Sequence, residues 1–140
     1  MISGVAIVNV LVADQEESKR FYIDVLGFEE RDDVQISPGY RWCTVGHPSQ
    51  PELLVSLVRF GPPLTAELAR ELELAQKAGG LGGLGLNVDD CHQTYADLKG
   101  KGVEFVQEPV ERPYGTEAVC RDNSGNWMVL IEPRPTEVTR

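Results

Sequence analysis

The chain repeats one pattern about 76 residues apart. The first copy runs Val12-Ala13-Asp14-Gln15-Glu16-Glu17-Ser18 and then Leu26-Gly27-Phe28-Glu29. The second runs Val88-Asp89-Asp90-Cys91-His92-Gln93-Thr94 and then Gly102-Val103-Glu104-Phe105. Each copy is an apolar strand-like run, a helix start, a short helix, a glycine and a new strand. Asp14 and Asp90 are placed to cap the first-turn N–H groups, with Glu17 and Gln93 three residues on in the capping-box position. A duplicated unit of this kind can pair with its twin and enclose a cleft, which is where function is expected.

Length points to one domain of 140 residues, large enough to bury a substantial core. The net charge of −9 excludes a nucleic-acid binder, which needs clustered Lys and Arg, and disfavours anionic membrane surfaces. The apolar stretch Val5 to Val12 is too short for a membrane span and lacks the basic flank of a secretory signal, so a cytoplasmic protein is expected. Three cysteines, Cys43, Cys91 and Cys120, form no CxxC pair and read as reduced, buried thiols.

Residues 5–12 are β-branched and apolar, which predicts a strand buried on both faces. A helix is expected over 15–26, closed by Gly27, then an edge strand over 29–35 and strands over 40–46 and 52–60. Leu68, Leu72 and Ala75 at helical spacing predict a linker helix over 66–78, with Thr65 as its cap. The second half reads as strand 83–88, helix 91–101, strand 103–107, a loop containing Pro109 and Pro113, and a hairpin of strands 116–121 and 126–132. Pro133 and Pro135 end it, and a frayed tail to Arg140 is expected. The expected class is α+β, with two βαβββ modules forming a curled mixed sheet. Module 1 spans about 1–60, the linker helix about 62–80 and module 2 about 81–135.

The stretches Val12-Ala13-Asp14, Ser18, Phe21-Tyr22 and Val25-Leu26-Gly27-Phe28, with Val88-Asp89-Asp90, Gly102-Val103 and Arg121-Asp122-Asn123-Ser124-Gly125-Asn126-Trp127, resemble the vicinal oxygen chelate superfamily. That group contains glyoxalase I, bleomycin resistance proteins and extradiol dioxygenases. Asn123 stands where the family's turn usually has proline. The resemblance covers residues 5–132 and implies the glyoxalase/bleomycin resistance/dioxygenase fold, an open barrel and a homodimer. It also implies metal ligands on the first and last strands of each module. Transferred residue by residue, those positions fall at Ile7, about Ser56, Gly83 and Val129. Hydrocarbon, glycine and one hydroxyl do not make a divalent-cation site, so no metal and no cofactor are expected.

What remains is a hollow for a small molecule. Trp127 shares a strand face with Val129, Asn9 shares one with Ile7, and Trp42 and Tyr114 are candidate walls or lids. The ligand-binding set is therefore Ile7, Asn9, Trp42, Ser56, Gly83, Tyr114, Trp127 and Val129, and the leading reading is sequestration or carriage of an aromatic or heterocyclic molecule. No catalytic residue is assigned. A rival reading is an enzyme of lyase, isomerase or dioxygenase type. It would use a displaced metal at Glu52, His47 and Cys120, or a general base at Glu117 or Glu132 with a raised pKa. A third is a scaffold whose cleft is filled by its own side chains. His47 and His92 read as surface residues, and the glycines at 79, 80, 82, 83 and 85 lack the Lys-Ser/Thr ending of a phosphate loop.

Overall fold

The computed structural model describes residues 1–135; the tail beyond Pro135 lies outside the described residues. In chain order the elements are β1 (Ile7–Val12), α1 (Gln15–Arg20), β2 (Glu29–Ser37), β3 (Tyr40–Gly46), β4 (Leu54–Arg59), α2 (Ala66–Lys77), β5 (Gly82–Asn87), α3 (Cys91–Gly100), β6 (Phe105–Arg112), β7 (Gly115–Arg121) and β8 (Trp127–Pro133). They form two βαβββ modules, each with its own four-stranded mixed sheet: β1-β4-β3-β2 and β5-β8-β7-β6. In each, the first strand runs parallel to the fourth and the other pairs are antiparallel. The chain divides into two compact units, the first ending at Lys77 and the second beginning at Ala78, so α2 belongs with the first.

Both helix starts are capped as the sequence predicts. The Asp14 carboxylate accepts from the Glu17 N–H at 2.9 Å and that of Asp90 from the Gln93 N–H at 3.0 Å. Helix α1 continues through a π-helical turn at Phe21–Val25 and ends at Gly27, whose φ of +80° is the left-handed value a side chain would resist. The expected strand over 29–35 is found at the sheet edge and extends to Ser37.

Three expectations need correction. β1 is buried on one face only: Val10 and Val12 are buried, while Ile7 and Asn9 are exposed. A β-branched run has the same composition whether one face or two are covered. α2 buries Ala69 and Gln76, with Leu68 exposed, so its inward stripe is rotated about one residue from the Leu68–Leu72–Ala75 reading. Gln76 anchors it by donating from Nε2 to the Leu11 carbonyl at 2.8 Å. The expected Pro109 loop is instead part of β6. Proline is tolerated there because β6 is an edge strand and its register shifts between Gln107 and Val110.

Each core lies between a sheet and its own helix. In the first unit α1 packs on β3 and β4, over Val10, Val12, Cys43, Val45, Val55 and Leu57. In the second, α3 packs on β6, β7 and β8, near Ala118, Cys120, Met128 and Leu130. Strand alternation then fixes which side chains stand on the opposite, open face of each sheet.

Candidate functional site

On the first sheet the open face carries a row of polar side chains running across all four strands. Asn9 pairs with Ser56, Ser56 with Thr44, and Thr44 with Asp32. Residues paired across a ladder project to the same side, so the four lie in line at about 4.8 Å per strand. The Thr44 hydroxyl donates to Asp32 Oδ2 at 2.9 Å and accepts from the Asp32 N–H at 3.0 Å. Ile7 and Leu54 flank the row on one side; Leu11, Val58, Trp42 and Val34 flank it on the other. Thr44 and Ser56, at 0% and 2% exposure, form the floor, while Ile7 and Val34 are exposed.

The corresponding row on the second sheet is Gly85–Val129–Val119–Gln107. Three of its positions carry no polar side chain, and at the fourth the Gln107 Nε2 is buried without a hydrogen-bond partner among the described residues. Trp127 lies on the same face, paired with Gly82 on one side and Arg121 on the other. A Cβ at Gly82 would fall inside the indole ring, so the glycine lets the ring lie flat against the strand while Trp127 stays 38% exposed. Gly83 sits in the register irregularity between Gly82 and Gly85, and the space of a side chain there is taken by the Trp127 carbonyl. Beside Gly85 there is open space.

What aims Trp127 is the turn before it. The buried Asp122 carboxylate accepts from the N–H groups of Ser124 and Asn126 at 2.9 and 3.0 Å, and from Asn126 Nδ2 at 2.9 Å. Gly125, at φ +102°, supplies the left-handed residue. This closes the β7–β8 hairpin in one register and holds Trp127 and Val129 on the open face.

At the β6–β7 end of that face, Glu117 accepts from Arg112 Nε at 2.9 Å. The Tyr114 hydroxyl and then the Arg112 guanidinium hold its carboxyl below the usual range, while Glu117 in turn raises the Tyr114 phenol. A general base was expected to show the opposite shift. Glu132 is also committed elsewhere: its Oε1 accepts from the Cys91 N–H at 2.9 Å, on the α3 side of the sheet. Tyr114 is 54% exposed at the hairpin turn, and Trp42 is half-buried beside the Thr44 row.

All three thiols are fully buried. Burial raises each of them, Cys120 to about 12, which removes them as nucleophiles. His47 accepts at Nδ1 from the Ser49 N–H at 3.1 Å and packs edge-on against Phe28. Among the described residues no three His, Cys, Asp or Glu side chains come close enough to hold a metal ion. The positions to which the family resemblance carries metal ligands hold Ile7, Ser56, Gly83 and Val129; three offer no donor and the fourth a single hydroxyl. This set does not fit a divalent cation.

A further hollow of about 630 Å³ in the first unit, lined among others by Gln15, Arg41, Arg59, Glu73, Gln76 and Lys77, was not foreseen. Its one signal in the sequence was a glutamine, Gln76, on a helix stripe that periodicity reserves for apolar residues.

Two βαβββ modules, each a four-stranded mixed sheet backed by its own helix, define a glyoxalase-type scaffold. The chain belongs to the Glyoxalase/Bleomycin resistance protein/Dioxygenase superfamily, whose sequence model matches residues 4–130. It is similar to the crystal structure of UcmS2, with 41% identity and a TM-score of 0.87, covering 94% of this chain and 99% of that one. It is also similar to TnmS3, described as an antibiotic binding protein from Streptomyces sp. CB03234, with 31% identity, a TM-score of 0.74, and 95% and 98% coverage. An uncharacterized protein of Shewanella frigidimarina is 30% identical over 133 residues, 94% of this chain and 95% of that protein. Among the described residues, no helix is long and apolar enough to cross a membrane.

Proposed function

We propose that this protein binds a small, flat organic molecule on the open sheet faces and acts by sequestration or carriage. The observation that carries the reading is the exchange of metal-ligand chemistry for Ile7, Ser56, Gly83 and Val129, beside an indole, Trp127, laid flat on Gly82 and still 38% exposed. A rigid aromatic surface with a few placed polar groups is the general form of a site for a planar ligand; the second unit offers Trp127 and Tyr114, and the first offers Asn9 and Ser56. The likeness to TnmS3 supports it. Trp42 is the second aromatic wall. Both modules and α2 act as one domain in this reading, in a cytoplasmic homodimer, and no nucleic acid or membrane takes part. The net charge of −9 supports the exclusion of nucleic acid.

Titration with a panel of planar tricyclic compounds, followed by tryptophan emission with and without a chelator, tests the reading. Saturable one-site quenching that is lost in Trp127→Ala and unchanged by chelator is expected. No saturable binding, or binding that needs a restored metal, overturns it.

A further inference from the structure

β2 carries four carboxylates, and three of them are matched by cations. Glu29 pairs with Arg31 at 3.2 Å, Glu30 with Lys19, and Asp33 with Lys19 and Arg41 at 2.7 Å each. Glu30 and Asp33 project toward α1, which supplies Lys19. Asp32 projects the other way, onto the open face, as its side-chain bond to Thr44 shows. No cation stands within ion-pair distance of it among the described residues. Its one side-chain partner is a neutral hydroxyl that binds Oδ2 and leaves Oδ1 available.

The same row holds a second polar group, the hydroxyl of Ser56, a residue 2% exposed and paired with Thr44 across the ladder. Asn9, next in line, adds an uncommitted amide. Holding a half-buried carboxylate without a counter-charge costs free energy. That cost is relieved by a ligand that carries positive charge and donates hydrogen bonds.

We infer that the trough Asn9–Ser56–Thr44–Asp32 selects ligands with a cationic nitrogen, whose charge is met by Asp32 and whose neighbouring polar edge is met by Ser56. The inference rests on the small-molecule reading above and adds the charge class of the ligand.

The test compares proflavine, a planar tricyclic cation, with anthracene sulfonate, a planar tricyclic anion, by calorimetry at low salt. The wild-type chain binds proflavine the more tightly. Asp32→Asn, which keeps the acceptor for Thr44, weakens proflavine roughly tenfold, as expected for loss of a charged hydrogen bond, and does not weaken the anion. Ser56→Ala weakens it by a smaller factor. Glu67→Gln removes the same charge from the exposed first turn of α2 and leaves both affinities unchanged, which separates a local site from the overall charge of −9. Equal affinity for the two probes, or equal losses in Asp32→Asn and Glu67→Gln, overturns the inference while the small-molecule reading stands. If neither probe binds, both fall.

Discussion

The two modules bury the same kind of face and expose different ones. Against their helices they match: Leu57 and Leu130 are each 1% exposed, and each helix is capped by an aspartate. On their open faces the equivalent rows read Asn-Ser-Thr-Asp in one and Gly-Val-Val-Gln in the other. Packing against a helix constrains both copies alike, because any change of volume there leaves a cavity or strain. An open face carries no such constraint, so the copies were free to diverge in chemistry.

The largest effects should fall where the modules agree. Leu57→Ala and Leu130→Ala are each expected to cost about 3 kcal/mol in urea unfolding. A difference of more than about half of that between them would break the claim that the two cores are equivalent. Next comes the hairpin turn peculiar to the second module. Asp122→Ala removes three accepted hydrogen bonds from a buried carboxylate and should cost about 2 kcal/mol. It should also blunt any ligand-induced quenching of Trp127, since register is lost with the turn.

Glycines sharpen the comparison within one strand. Gly82→Ala forces the Trp127 ring off the strand and should cost about 1–2 kcal/mol, together with ligand affinity. Gly85→Ala meets open space and should change stability by less than about 0.5 kcal/mol. Equal costs would mean that the indole does not depend on Gly82.

The smallest effect concerns the first module's helix side, where Lys19, Asp33, Arg41 and Glu16 form a charged network with no counterpart of that size on α3. Hydrogen bonds from Arg41 and Lys19 hold the Asp33 carboxyl well below the ordinary range. A depressed folded pKa stabilises the native state above the unfolded value near pH 4, and that contribution fades as pH falls toward the folded pKa. The wild-type chain should therefore lose about 1 kcal/mol more than Asp33→Asn between pH 7 and pH 3, measured by urea midpoints. Identical pH profiles would show that the network adds nothing.

Much of this was legible in the residues. The repeat gave the two βαβββ modules, Asp14 and Asp90 gave the caps, and Gly27 and the Asp122–Gly125 turn gave chain reversals, because each of these is local chemistry. The one-sided burial of β1 was not legible, since β-branched residues suit either environment. Nor was the inward face of α2, where Gln76 replaces an apolar residue and bonds to Leu11. Ser56 and Asn9 could be marked singly, but their alignment with Thr44 and Asp32 depends on the register between four strands. Register is set by long-range pairing, which no local pattern contains.

Calorimetric titration of the purified chain with Zn²⁺, Ni²⁺, Mn²⁺ and Fe²⁺ addresses the central claim most directly. The residues at Ile7, Ser56, Gly83 and Val129 predict no stoichiometric tight binding and no change in affinity for a planar ligand when a metal is added. One ion held tightly per chain, with lyase, isomerase or oxygenase activity appearing as it binds, would contradict it.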